Sequence, residues 1–170
     1  MILGMSVATF TLVHVVLSLV GILAGLVVLT GLFASRPYSG WTALFLATTV
    51  LTSATGFLFP RDHVLPSHVV GVISLVLLAA AIAALYYYRL VRTWRWIYVS
   101  TAIVALYLNV FVLVAQAFLK VPFLNALAPT QAEPPFVIAQ AAVLVVFVVL
   151  GVVAVRSFHP AAGAPALRAA

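Results

Sequence analysis

The chain has 170 residues, 66% of them hydrophobic and only 6% charged, with eight Lys and Arg against two acids and no cysteine. Soluble domains carry about 25% charged residues, so a soluble enzyme, a disordered chain and a disulfide scaffold are all excluded. The basic residues sit at the ends of apolar runs and form no single patch, which marks membrane orientation and excludes a nucleic-acid interface.

A helix that crosses a bilayer needs roughly 20 apolar residues. Five such runs are legible, over 6–33, 41–59, 67–88, 96–119 and 136–155. They predict an all-α, polytopic transmembrane bundle occupying 1–157 as one domain, followed by a short, frayed cytoplasmic tail over 158–170. The second run is the shortest, so the count of five depends most on it. The first run lacks a basic leader and exceeds the roughly 7–15 residues of a signal-peptide core, so it is expected to be retained. Prolines gather in the connections, where a missing N–H costs little. Four of them, Pro122, Pro129, Pro134 and Pro135, stiffen the longest connection. There Phe123, Leu124 and Leu127 suggest a short interfacial helix, and Gln131 and Glu133 are candidates to point into an outer cavity, although a plain stiff hairpin is the simpler expectation.

Arg36, Arg89, Arg92, Arg95, Arg156 and Arg168 fall on one side of these spans, and Arg61 and Lys120 on the other with Asp62 and Glu133. Positive residues favour the cytoplasm, which places the N-terminus outside and the C-terminus inside. Trp41, Trp94, Trp96 and Tyr86–Tyr88 then form an inner aromatic belt. The three arginines of the third connection are expected to hold topology and to meet anionic headgroups.

Helices in lipid associate through small residues and interhelical hydrogen bonds. In the first span Thr11, His14, Ser18, Gly21 and Gly25 share one face, and Gly21 to Gly25 is a G-x-x-x-G step. The second is rich in Thr and Ser. Asn109 and Gln116 lie on one stripe of the fourth, and Gln140 begins a stripe in the fifth. His14 sits about 10 Å into the first helix at 1.5 Å per residue, Gln116 and Gln140 each one turn from an outer end, and His68 at the outer start of the third span. This concentration of polarity predicts an outward-facing pocket around His14, with Gln116 or Gln140 as its partner and His68 and Asn109 as further ligand-binding candidates. Intramembrane ionisable groups are functional candidates. Structural packing is the alternative for each, and the stronger one for His68.

No membrane-embedded carboxylate, di-iron set, zinc-protease motif or phosphate loop is present, so no catalytic residue is assigned. What remains is a non-catalytic binding or accessory protein for haem b, a quinone or a lipid-like ligand. Haem would use His14 and His68 as metal ligands, although their depths differ, and Arg61 or Lys120 for the propionates. Two alternatives are a small transporter or channel for a neutral solute, and a structural subunit whose G-x-x-x-G face docks a membrane-complex partner or a second copy in the lipid bilayer.

The stretches TALFLATTVLTSATGFLFP (Thr42–Pro60), PSHVVGVISL (Pro66–Leu75), ALYLNVFVLVAQAFLK (Ala105–Lys120) and APTQAEPPF (Ala128–Phe136) resemble a group of small, uncharacterised bacterial inner-membrane proteins. That resemblance implies a multi-pass protein of the bacterial plasma membrane and carries no activity. The His68–Gly71 step is similar to His-plus-Gly helices of membrane cytochromes b, without the rest of their pattern.

Overall fold

A computed structural model describes residues 1–60 and 66–160. It contains six α-helices: α1 (Val7–Phe33), α2 (Ser39–Gly56), α3 (Pro66–Ile82), α4 (Thr93–Lys120), α5 (Pro122–Leu127) and α6 (Pro134–Ser157). A π-helical turn, Ala83–Tyr87, continues α3. Among the described residues there is no strand beyond one bridge between Ile2 and Met5.

Among the described residues, four helices are long and apolar enough to cross a membrane: α1, Ser67–Tyr87, α4 and α6. They correspond to the first, third, fourth and fifth expected spans. Their outward residues are aliphatic: Leu12 is 63% exposed, Val76 65% and Val145 62%. A continuous apolar perimeter of this kind suits lipid and is not tolerated in water. The 18-residue α2 is helical but less apolar, because hydroxyls occupy its inward face.

Helix ends follow local chemistry. Ser6 caps α1 by accepting from the Thr9 amide at 3.1 Å. Prolines open α5 and α6, where a missing N–H is harmless. At its other end α1 stops in a left-handed turn, with Ser35 at φ 53° and the Arg36 amide donating to the Gly31 carbonyl at 2.9 Å. Such a turn usually takes glycine. Here glycine is needed one turn earlier, since a Cβ on Gly31 would stand 2.6 Å from the Arg36 carbonyl oxygen.

α1 and α2 pack as an antiparallel hairpin whose register is read from its contacts. Phe10 meets Phe59, His14 meets Thr55, Gly21 faces Thr48, Gly25 faces Phe45 and Gly31 faces Tyr38. α4 and α6 form a second antiparallel pair, with Phe118 on Phe136, Tyr107 on Phe147 and Ile103 on Gly151. α4 touches α1, α3 and α6, and α2 lies between α1 and α3. The core between them holds Phe45, Leu78, Val99, Ala105, Leu106 and Phe147.

The G-x-x-x-G face is consumed inside the chain. Gly21 and Gly25 are buried, and a Cβ on Gly25 would lie 2.5 Å from Leu106 Cδ1 and 3.0 Å from the Phe45 ring. The face that a partner was expected to use is filled by α2 and α4.

The expected frayed tail is also corrected at its start. Phe158 is fully buried beside Tyr98. Its carbonyl accepts from Arg95 Nη1. The Ser35 hydroxyl donates to the Ser157 carbonyl at 2.5 Å and accepts from the His159 amide at 2.9 Å. Residues 161–170 lie outside the described region. These bonds bring the α1–α2 connection, the start of α4 and the end of α6 to one end of the bundle, which therefore carries Arg36, Arg89, Arg92, Arg95 and Arg156.

Candidate functional site

His14 sits half-buried in the α1–α2 seam, about two turns into α1. Its Nδ1 lies 2.9 Å from Thr55 Oγ1. Thr55 Oγ1 in turn lies 2.7 Å from the Leu51 carbonyl and 3.2 Å from that of Thr52. A hydroxyl has one proton, and here the preceding turn's carbonyls take it. With that proton so committed, His14 would donate from Nδ1–H to Thr55, the tautomer that leaves the Nε2 lone pair as an acceptor. The Phe59 ring stands edge-on to the imidazole at 5.3 Å and touches Phe10 at 5.0 Å. On the other side, His14 Cε1 passes near Gly56, where a Cβ would stand 3.8 Å from it in ordinary contact.

The other sequence candidates go elsewhere. Asn109 is buried and donates to Thr49 Oγ1 at 3.2 Å, joining α4 to α2 beside Gly21. Gln140 is buried and donates from Nε2 to the Phe111 carbonyl at 3.1 Å, while its Oε1 has no hydrogen-bond partner among the described residues. Gln116 is exposed. His68 stacks on Phe57, with ring centroids 5.6 Å apart. So the amide expected beside His14 is replaced by a threonine, and Asn109 and Gln140 bond within other seams. His14 and His68 pack on different residues of the α2 end, Thr55 with Phe59 and Phe57 respectively. Asp62, Arg61 and His63 fall outside the described residues. Among those described, no group of three or more His, Asp or Glu stands ready to hold a metal ion.

The long connection also departs from expectation. Gln131, at φ 59°, donates to the Ala115 carbonyl at 2.7 Å and so ties the loop back onto α4. Glu133 accepts from the Thr130 amide and hydroxyl and from the Ala132 amide. Desolvation is the largest single influence and pushes its carboxyl up, but these bonds together, Thr130 first, hold it below the ordinary value. The short interfacial helix around Phe123 is present as α5, with Phe123 exposed.

Thr55 is the residue that sequence reading missed. The signal was available, because a five-residue connection between two antiparallel helices sets position 14 opposite position 55. Two cavities occur at the arginine end, away from His14. One of about 200 Å³ lies among Pro37, Ser39, Thr42, Leu85, Tyr86 and Tyr98. The other, more open and about 520 Å³, lies at the α3–α4 turn. Comparison with known protein families, with curated proteins and with solved structures finds no match to this chain.

Proposed function

We propose that this chain is a multi-pass protein of a bacterial inner membrane, akin to the small inner-membrane proteins it resembles, that binds a largely apolar ligand at His14 without catalysing its turnover. Four spans are supported directly by length and apolarity. α2 supplies the fifth in this reading: its hydroxyls Thr42, Thr48, Thr49 and Thr52 are buried, while its outward side, Ala43, Leu44, Ala47 and Leu51, is apolar. Five arginines at one end, with Lys120 at the other, support a cytoplasmic first end and an N-terminus outside.

The observation that carries the ligand reading is the 2.9 Å contact of the half-buried His14 Nδ1 with Thr55 Oγ1. A histidine whose Nδ1–H is held by an oxygen presents a basic, oriented Nε2, the arrangement found behind metal-bound imidazoles. The residues fit two groups: a haem iron, or the hydroxyl of a quinol or similar lipid-like alcohol with its ring against Phe59. Packing glue alone would need only a serine or threonine, with no imidazole to desolvate.

Purified wild-type and His14→Leu proteins are compared by oxidised and dithionite-reduced spectra with and without haemin, and by quantifying quinones extracted with each. The expected result is a haem band or a co-purified quinone that the variant loses. Identical spectra and extracts from both proteins overturn the ligand reading. Orientation is tested separately with single cysteines, since the chain has none of its own. A cysteine at Gly40 is expected to be shielded from an impermeant thiol reagent added outside, and one at Ala132 to react.

A further inference from the structure

The smaller cavity, about 200 Å³, is walled by three separate elements. The start of α2 supplies Ser39, Thr42 and Ala43, the π turn after α3 supplies Leu85 and Tyr86, and α4 supplies Tyr98. Turns of π-helix are rare and lie frequently at functional sites. This one is closed by the Tyr88 amide, which donates to the Ala83 carbonyl at 2.9 Å. It thereby sets Leu85 and Tyr86 as one wall of the cavity.

Two of the lining hydroxyls are withdrawn from the surroundings, Thr42 being 4% exposed and Tyr98 3%. A buried hydroxyl costs free energy unless it is bonded. Thr48, Thr55 and Thr101 meet that cost on carbonyls of the preceding turn. Thr42 instead meets the Tyr98 hydroxyl. Two hydroxyls hold two protons, and one bond between them uses one. The second proton is left for an acceptor in the cavity.

Charge and size narrow what that acceptor belongs to. No charged side chain lines the cavity, so an ion entering it would lose water without gaining a counter-charge. Ala43 and Leu85 offer apolar surface to the rest of a ligand. Pockets for drug-sized molecules run to roughly 300–1,000 Å³, so this one takes something smaller. Tyr86 is exposed and connects the cavity with the surface.

We propose that this cavity binds a small uncharged molecule that carries an oxygen acceptor on an apolar body, of the phenol or cyclic-alcohol class. Thr42 and Tyr98 bond the oxygen, and Ala43 and Leu85 pack on the body. His14 packs at the opposite end of α2, so the two sites are independent.

The test is a ¹⁹F NMR titration of the full chain in detergent with 4-fluorophenol, against empty micelles. Fluorobenzene, which lacks the oxygen, and 4-fluorobenzoate, which is charged, serve as the comparison probes. 4-Fluorophenol is expected to bind saturably and several-fold more tightly than either. Loss of one hydrogen bond in Y98F should weaken it about fivefold. A43L, which fills the cavity, should remove the saturable component, and H14L should bind as the wild type does. Y98F keeps the ring beside Phe158, so its effect is readable even if A43L disturbs the fold. Equal binding by wild type and Y98F would overturn the role of the hydroxyl pair, as would equal binding of fluorobenzene. Preference for 4-fluorobenzoate would overturn the uncharged class, and loss of binding in H14L would overturn the placement in this cavity.

Discussion

His14 on α1 and Thr55 on α2 meet at 2.9 Å across the helical hairpin, and the Thr55 hydroxyl faces the Leu51 carbonyl at 2.7 Å. The two contacts together favour one proton order: imidazole to hydroxyl, hydroxyl to carbonyl. The hydroxyl would have bonded its own helix in any case, so α2 gains an acceptor for His14 without leaving a backbone group unpaired. The imidazole is oriented by a partner that cannot reverse the bond while its own proton is committed.

Replacing Thr55 by valine keeps the shape and removes the acceptor. Interhelical hydrogen bonds in membranes are worth about 0.6 kcal/mol on average and up to about 1.7 kcal/mol. T55V should therefore unfold only slightly more easily in denaturant titrations. Its effect on ligand is larger: outer partners of a binding histidine typically contribute about 10–100-fold in affinity. A haemin or quinol titration in which T55V matches the wild type would separate Thr55 from the site.

Gly25 is a point of close approach between α1, α2 and α4. A methyl group there meets Leu106 and both edge atoms of Phe45, and Phe45 is itself buried. Overpacking of this kind costs about 1–3 kcal/mol. A methyl group on Gly40 would have nothing within 4 Å of it, so G40A should stay within about 0.5 kcal/mol of wild type. Equal unfolding midpoints for G25A and G40A would contradict the close approach of α1 to α2 and α4.

Phe158 closes the arginine end. Its side chain is fully buried, and the backbone on either side of it is held by Arg95 and Ser35. Truncating a buried phenylalanine to alanine costs about 3–5 kcal/mol. F158A is expected to lower the midpoint more than S157A, and to raise protease cleavage near the end of α6. A variant as resistant as the wild type would mean that Phe158 is not seated there.

Glu133 gives the loop between α5 and α6 a pH dependence whose sign is fixed. Desolvation, the largest single influence, pushes its carboxyl up, but the bonds from Thr130 and Ala132 together hold it below the ordinary value in the folded protein. A group lowered on folding stabilises at pH above its unfolded value, and that stabilisation is lost as the pH falls through the lowered folded value. Amide hydrogen exchange at Thr130 and Ala132 should accelerate on acidification through the carboxylate range, after correction for intrinsic exchange. In E133Q the corrected exchange should not vary over that range. A wild-type loop whose corrected protection does not change with pH would sink this assignment.

Much of the fold was legible because lipid-facing helices must be long, apolar and free of proline. The boundaries of α1, α4 and α6 lie within about three residues of those read from the apolar runs, and α5 appeared where Phe123, Leu124 and Leu127 suggested it. α2 was the uncertain span for a reason the structure makes plain: its threonines lower its apolarity while pointing inward. The π turn after α3 left no mark in the sequence, since one additional residue per turn alters neither composition nor helix propensity. Phe158 looked like tail because it follows the last apolar period, and its pocket is made by Tyr98, far earlier in the chain. At the candidate site, the intramembrane histidine stood out by its chemistry, whereas its partner did not. Gln116 and Gln140 were attractive as strong hydrogen bonders at similar depth, but depth does not specify azimuth. Gln116 turns outward, and Gln140 spends its amide on the Phe111 carbonyl.

The proton position on His14 is directly observable by nitrogen NMR of protein labelled with ¹⁵N-histidine, the resonance being assigned with H14Q. The proton should reside on Nδ1 with Nε2 bare, and the Nε2 signal should move when haemin or a quinol is added. A proton on Nε2, or an Nε2 signal unmoved by both ligands, would contradict the role assigned to His14.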